Sequence, residues 1–213
     1  MADRSRVSYR AWLLIILVGL LGISAINPAN RSDFLLEHSL TAAALAAIIA
    51  LERARPISNS SATLLFVFLC LHILGAHYTY SFVPYEAWSR TVFGRGINEA
   101  FGWERNHYDR LVHLAFGLLV LQPLRELIVE RFTPLRGWWS IGISIAFLAM
   151  FSKVYELMEW IFAETMSPEA AETYNGQQGD MFDGQKDMAM ALTGSMITGA
   201  LLAFKDHQSR SAG

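Results

Sequence analysis

Residues 61–83 read SATLLFVFLCLHILGAHYTYSFV, 23 positions without a formal charge. A hydrocarbon core of ~30 Å is crossed by about 20 apolar residues of helix, so this run is long enough to span a bilayer. Outward from it, shorter apolar runs occupy 11–29, 34–51, 109–129, 137–162 and 185–204. Several of these reach spanning length only by including acids or histidines at one end. Polar side chains at that depth must face neighbouring helices or a wet cavity. The expected fold is all-α: an integral membrane bundle of about six transmembrane helices, in a single polytopic domain over 1–213. A soluble helical bundle is the competing reading, and the length of these runs argues against it.

Composition narrows the function. Hydrophobic residues make up 53% of the chain and mean hydropathy is +0.30. Formal net charge is −2 with no basic run, so nucleic acid is not an expected partner. The lone cysteine, Cys70, lies inside an apolar run and leaves no intramolecular disulfide, structural zinc or iron–sulfur site. No G-x-S-x-G, P-loop or H-E-x-x-H occurs, and neither glutamate near the fifth helix end starts the Glu-x-x-His of a di-iron bundle.

The ends of the runs carry the punctuation. Arg4, Arg6 and Arg10 precede the first run, which also describes a cleavable signal, although a retained first helix fits the other spans. Pro56 is the expected stop of the second helix, Pro123 an expected kink in the fourth, and Pro134 precedes the fifth. Residues 84–108 form a connection with Trp88 and Trp103 suited to an interface. An acidic loop fills 164–183.

Topology decides which ends meet. With the N-terminus in the cytoplasm, Arg4, Arg6, Arg10, Arg53, Arg55, Arg125, Arg131, Arg136, Lys205 and Arg210 lie inside. Arg31, Arg90, Arg95, Arg105, Arg110 and Lys186 lie outside. Ten against six favours cytoplasmic termini. Five helices then place their acids and histidines in the outer leaflet: Glu37 and His38, His77, His107 with Asp109 and His113, Glu156 with Glu159, and Asp180 with Asp183 and Asp187. An inverted topology would form the same cluster facing the cytoplasm.

Asp109 and His113 sit one turn apart on one face, so both could ligate a metal, or Asp109 could orient the His113 ring. The plainer alternative has Asp109 capping the helix and His113 bonding a neighbour. Glu156 and Glu159, at i and i+3, suit a general base, with Lys153 one turn deeper as the ordinary ion-pair partner. Asp183 could simply cap the sixth helix, but Asp187 lies a full turn inside it. His72 and His77 are about 140° apart around a helix and do not form a single-face pair. His77, Asp109, His113 and Asp183 are the expected metal ligands, and Glu156, Glu159 and Asp187 the expected catalytic groups. His72, Tyr80, His107, Lys153 and Asp180 are expected to contact substrate or support the ligands. The donor set suits a divalent metal (Zn, Mn or Fe).

Four blocks, HILGAHYTY (72–80), ERNHYDRLVH (104–113), YELMEW (155–160) and QGDMFDGQKD (178–187), resemble the YjdF-type bacterial inner-membrane proteins. The resemblance covers about residues 30–205. It implies a small multi-span protein of the bacterial inner membrane and assigns no activity. The residues themselves suggest a metal-dependent intramembrane enzyme acting on a lipid or other membrane-embedded substrate. A proton- or ion-coupled transporter using the cluster as a relay, and a structural membrane subunit, are the alternatives. Membrane lipids are the expected partners, and a homo-oligomer is compatible with the sequence.

Overall fold

The computed structural model describes residues 4–54, 57–132, 135 and 137–211. Arg55 and Pro56, Pro134 and Arg136 lie outside the described residues. The described chain is all helical, with no strand: α1 (Arg4–Ser24), α2 (Arg31–Ala54), α3 (Asn59–His77), α4 (Tyr85–Phe93), α5 (Ile97–Phe101), α6 (Tyr108–Arg131), α7 (Trp138–Ala163), α8 (Pro168–Asn175) and α9 (Asp183–Ser211). Among the described residues, α3, α6, α7 and α9 are long and apolar enough to cross a membrane. The apolar part of α1, Tyr9–Ser24, is shorter, and α2 carries Arg31, Asp33, Glu37, Glu52 and Arg53.

Local chemistry sets the helix ends. Ser58 caps α3, its side chain accepting the Ser61 N–H. The run expected to continue to residue 83 stops as helix at His77. Thr79 and Tyr80 adopt φ of 47° and 53°, and the chain doubles back so that the Tyr80 ring lies against Gly75. A Cβ on Gly75 would come within 2.5 Å of that ring, so the missing side chain makes the turn possible. The expected acidic loop likewise contains a helix. Ser167 caps α8, Pro168 opens it, and Gly176 closes it at φ 62°. Pro123 sits buried inside α6, which is helical on both sides of it.

α6 is the central helix, packed against α3, α7 and α9, while α9 also packs on α7, and α1 and α2 pack on α3. Small residues bring α6 and α9 together. A Cβ on Gly117 would lie 2.1 Å from the Ala191 carbonyl oxygen, and one on Gly194 would lie 2.3 Å from that of Leu114. Thr198 donates across the same seam to the Leu118 carbonyl at 2.8 Å. Close backbone approach through small residues is how helices associate where lipid supplies no hydrophobic drive. The outward faces are apolar and exposed, as at Val67, Phe147, Leu157 and Leu201. At one end of the bundle Arg125 joins Asp206 at 2.5 Å, and Glu126 accepts from the Ser58 N–H and hydroxyl at 2.8 Å. The ends of α2, α3, α6, α7 and α9 that carry acids and histidines meet at the other.

Candidate functional site

The site begins with two neighbours on α6. Asp109 and His113, one turn apart, face α9 and α7. His113 Nε2 lies 3.6 Å from Asp109 Oδ1 and 3.4 Å from Glu156 Oε1. Asp187 of α9 completes the group: one donor atom each of Asp109, His113 and Asp187 lies within 4.8 Å of the others. Asp187 is 2% exposed, and its Oδ1, like Glu156 Oε1, has no hydrogen-bond partner. Buried carboxylate oxygens without hydrogen bonds are costly unless positive charge stands near, as Arg110 Nε does 4.0 Å from Asp187 Oδ1. Metal–donor bonds of ~2.0–2.1 Å set tetrahedral donors about 3.4 Å apart, the scale of the separations around His113. Gly184 makes room for this approach, since a Cβ there would meet Glu156 Oε2 at 2.7 Å.

A layer of ion pairs roofs the group. Arg105 grips both oxygens of Asp183, at 2.5 and 3.0 Å, and donates to the Gly176 and Gln177 carbonyls. Arg110 reaches Asp180 at 2.6 Å and Asp183 at 2.9 Å, with its Nε 4.0 Å from Asp187. Asp183 therefore spends its carboxylate on two arginines and does not cap α9. Asp180 also accepts from Lys186 at 2.5 Å and from the Phe182 N–H. The Lys186 and Arg110 bonds hold its carboxyl well below the ordinary carboxylate range. The two arginines were not expected at the site. The repeated acids of 180–187 are the signal that points to them, because so much negative charge needs cations nearby.

A third layer lies behind. Tyr155 and Glu156 are consecutive on α7, hence about 100° apart, and address different helices. Tyr155 donates to Glu37 of α2, its oxygen 3.0 and 2.8 Å from the two carboxylate oxygens, while Glu156 faces His113. Glu159 stands beside both Tyr155 and Glu156. His72 is held between Thr41 Oγ1 and the Tyr80 hydroxyl, each at 2.5 Å. Thr41 gives its only proton to the Glu37 carbonyl, so it must accept from His72 Nε2–H, and Tyr80 must donate to Nδ1. Both ring nitrogens of His72 are thereby committed.

The remaining expected residues lie elsewhere. His77 turns to α1, its Nδ1–H donating to the Ser24 carbonyl at 2.7 Å. His107 precedes α6 and packs against Trp103, with ring centroids 4.3 Å apart and the rings tilted by 47°. Burial, followed by the nearby charges of Arg110 and Arg105, lowers its pKa. Lys153 is exposed on α7 and makes no ion pair to a described residue.

This arrangement defines a polytopic helical membrane protein with a roofed carboxylate–histidine cluster at one end of its bundle. The chain belongs to the family described as "Predicted membrane protein (DUF2238)", which matches residues 9–208. It is 32% identical over 181 residues to the inner membrane protein YjdF of Escherichia coli (strain K12), covering 84% of this chain and 82% of that protein. No solved structure matches it.

Proposed function

We propose that this protein is a metal-dependent intramembrane enzyme acting on a lipid or another membrane-embedded substrate. Asp109, His113 and Asp187 hold one divalent cation (Zn, Mn or Fe), and Glu156 is the general base. The observation that carries the reading is the convergence of donors from two helices within 4.8 Å, with buried carboxylate oxygens on Asp187 and Glu156 that accept no hydrogen bond from a described residue. A cation held there would supply Lewis acidity toward a water or a substrate carbonyl, and Glu156, 3.4 Å from His113, is placed to take a proton beside it. Six crossings with cytoplasmic termini belong to the same reading, α1 and α2 supplying two of them. The cluster then occupies the outer leaflet of a bacterial inner membrane.

A second reading, proton- or ion-coupled transport, draws on one observation. Glu37, Tyr155, Glu159, Glu156 and His113 form a connected row of titratable groups from α2 to α6. Elemental analysis of protein purified in mild detergent without chelator separates the two. Near-stoichiometric metal in the parent, lost from folded His113→Ala and Asp187→Asn variants, is the expected result. A folded parent that carries none, even after reloading, sinks the enzyme reading and puts transport first.

A further inference from the structure

Below the cluster lies a cavity of about 490 Å³. On α6 its wall follows a stripe, Asp109, His113, Phe116, Val120, Leu124 and Leu127, spaced by three and four residues, with Val112 and Pro123 beside it. At 1.5 Å per residue that stripe is about 27 Å long, so the cavity is long for its volume. A polymethylene chain, packed at ~3.5–4.0 Å from the wall carbons, suits an elongated apolar channel of this kind. The polar groups gather toward the Asp109 end, and the far end is hydrocarbon. α3 and α7 both pack on α6 with little contact between themselves, which leaves the cavity between them, and Phe151 and Val154 of its α7 wall are also exposed outward. Access is therefore sideways, from the region the apolar outer faces occupy.

One fully buried polar atom in this wall lacks a hydrogen-bond partner among the described residues. Ser152 is 3% exposed, lines the cavity one turn below Glu156, and its hydroxyl bonds to no described residue. Buried hydroxyls are ordinarily paired, so this one points to a ligand acceptor at that depth.

We propose that the cavity holds one unbranched acyl chain of a membrane lipid, with Ser152 Oγ–H donating to its ester carbonyl and the chain running down α6 toward Leu127. The inference rests on the enzyme reading for which bond is presented to Asp109, His113 and Glu156, and stands apart from it for the occupancy itself. The substrate class is thus an acyl ester entering from the bilayer.

The test reconstitutes the full chain in phospholipid vesicles containing a phospholipid with a diazirine midway along a palmitoyl chain. After irradiation, adducts are mapped by peptide mass spectrometry, with and without prior chelation. Adducts are expected at the inward positions Phe116, Val120 and Leu124. Val120→Trp should reduce them at least about fivefold, as a filled channel excludes the chain, while adducts at outward Val67 and Leu201 persist. Labelling confined to outward positions, or inward labelling unchanged in folded V120W, overturns the proposal. If V120W does not fold, V120A serves: a diazirine-bearing polyprenyl phosphate should label the widened cavity and not the parent. Equal labelling of the parent by that probe overturns the acyl assignment. Inward adducts that survive in a protein shown to bind no metal keep this inference while the enzyme reading falls. A metal-loaded protein without inward adducts does the reverse.

Discussion

Gly117 of α6 and Gly194 of α9 meet backbone to backbone. A Cβ on either would stand about as far from the other's carbonyl carbon as the gap now allows, 2.9 Å from Gly194 and 3.1 Å from Gly117. This crossing fixes the register of α6 against α9, and with it the placement of Asp109 and His113 opposite Asp187, about one to two turns away along the same pair of helices.

Substitution at the crossing should therefore unseat the cluster from a distance. Gly117→Val drives its side chain into the Ala191 carbonyl and costs about 1–3 kcal/mol or more, by the usual scale for overpacking. The expected result is a lower melting temperature in detergent and, under the proposed function, weakened metal binding. A variant of parental melting temperature would show that the seam is looser than described.

Arg105 is more than a positive charge at its position. Its guanidinium takes both oxygens of Asp183 and two backbone carbonyls at once, a fork that an ammonium does not reproduce. Arg105→Lys should destabilise nearly as much as Arg105→Ala, by about 1–3 kcal/mol for the stranded buried carboxylate. Full retention of stability by the lysine variant, measured by thermal unfolding, would contradict this.

Tyr155 holds the Glu37 carboxylate from across the bundle. Tyr155→Phe removes the only side-chain donor bonded to that buried acid among the described residues, and a loss of about 1–3 kcal/mol follows. Pairing it with Glu37→Gln in a double-mutant cycle should return a coupling of at least about 0.5 kcal/mol. Additive single effects would mean the contact carries no weight.

The roof should survive mild acid. Asp180, bonded first to Lys186 and then to Arg110, has its folded-state pKa depressed. A depressed carboxyl contributes stability that is present above its unfolded pKa, near ~3.9, and is lost only as pH falls through the lower folded value. Hydrogen exchange of the amides of 177–182 should stay protected from neutral pH to about 4 and loosen only below that. Loss of protection beginning near pH 6 would place the control in another group.

Much of this was legible in the chain. The uncharged 61–83 run and its shorter companions give the all-helical membrane character. The habit of placing acids and histidines at alternate helix ends gives their convergence. The end of α3 was not legible, because a glycine that accepts a ring from five residues later leaves no mark in hydropathy. Nor was α8, whose helix sits in an acidic stretch and depends on a serine cap and a glycine stop. The fate of individual side chains was least accessible. Spacing puts Tyr155 and Glu156 on different faces, but only the packed structure shows which helix each face meets, and that His77 is turned to α1.

The connection between α3 and α6 and the one between α7 and α9 are far apart in sequence, yet Arg105 is tied to Gly176, Gln177 and Asp183, and Asn106 to Gln178. The two extramembrane segments are thus one lashed piece. A protease that cuts either segment would leave both halves of the cover in place, held by these bonds to the other segment.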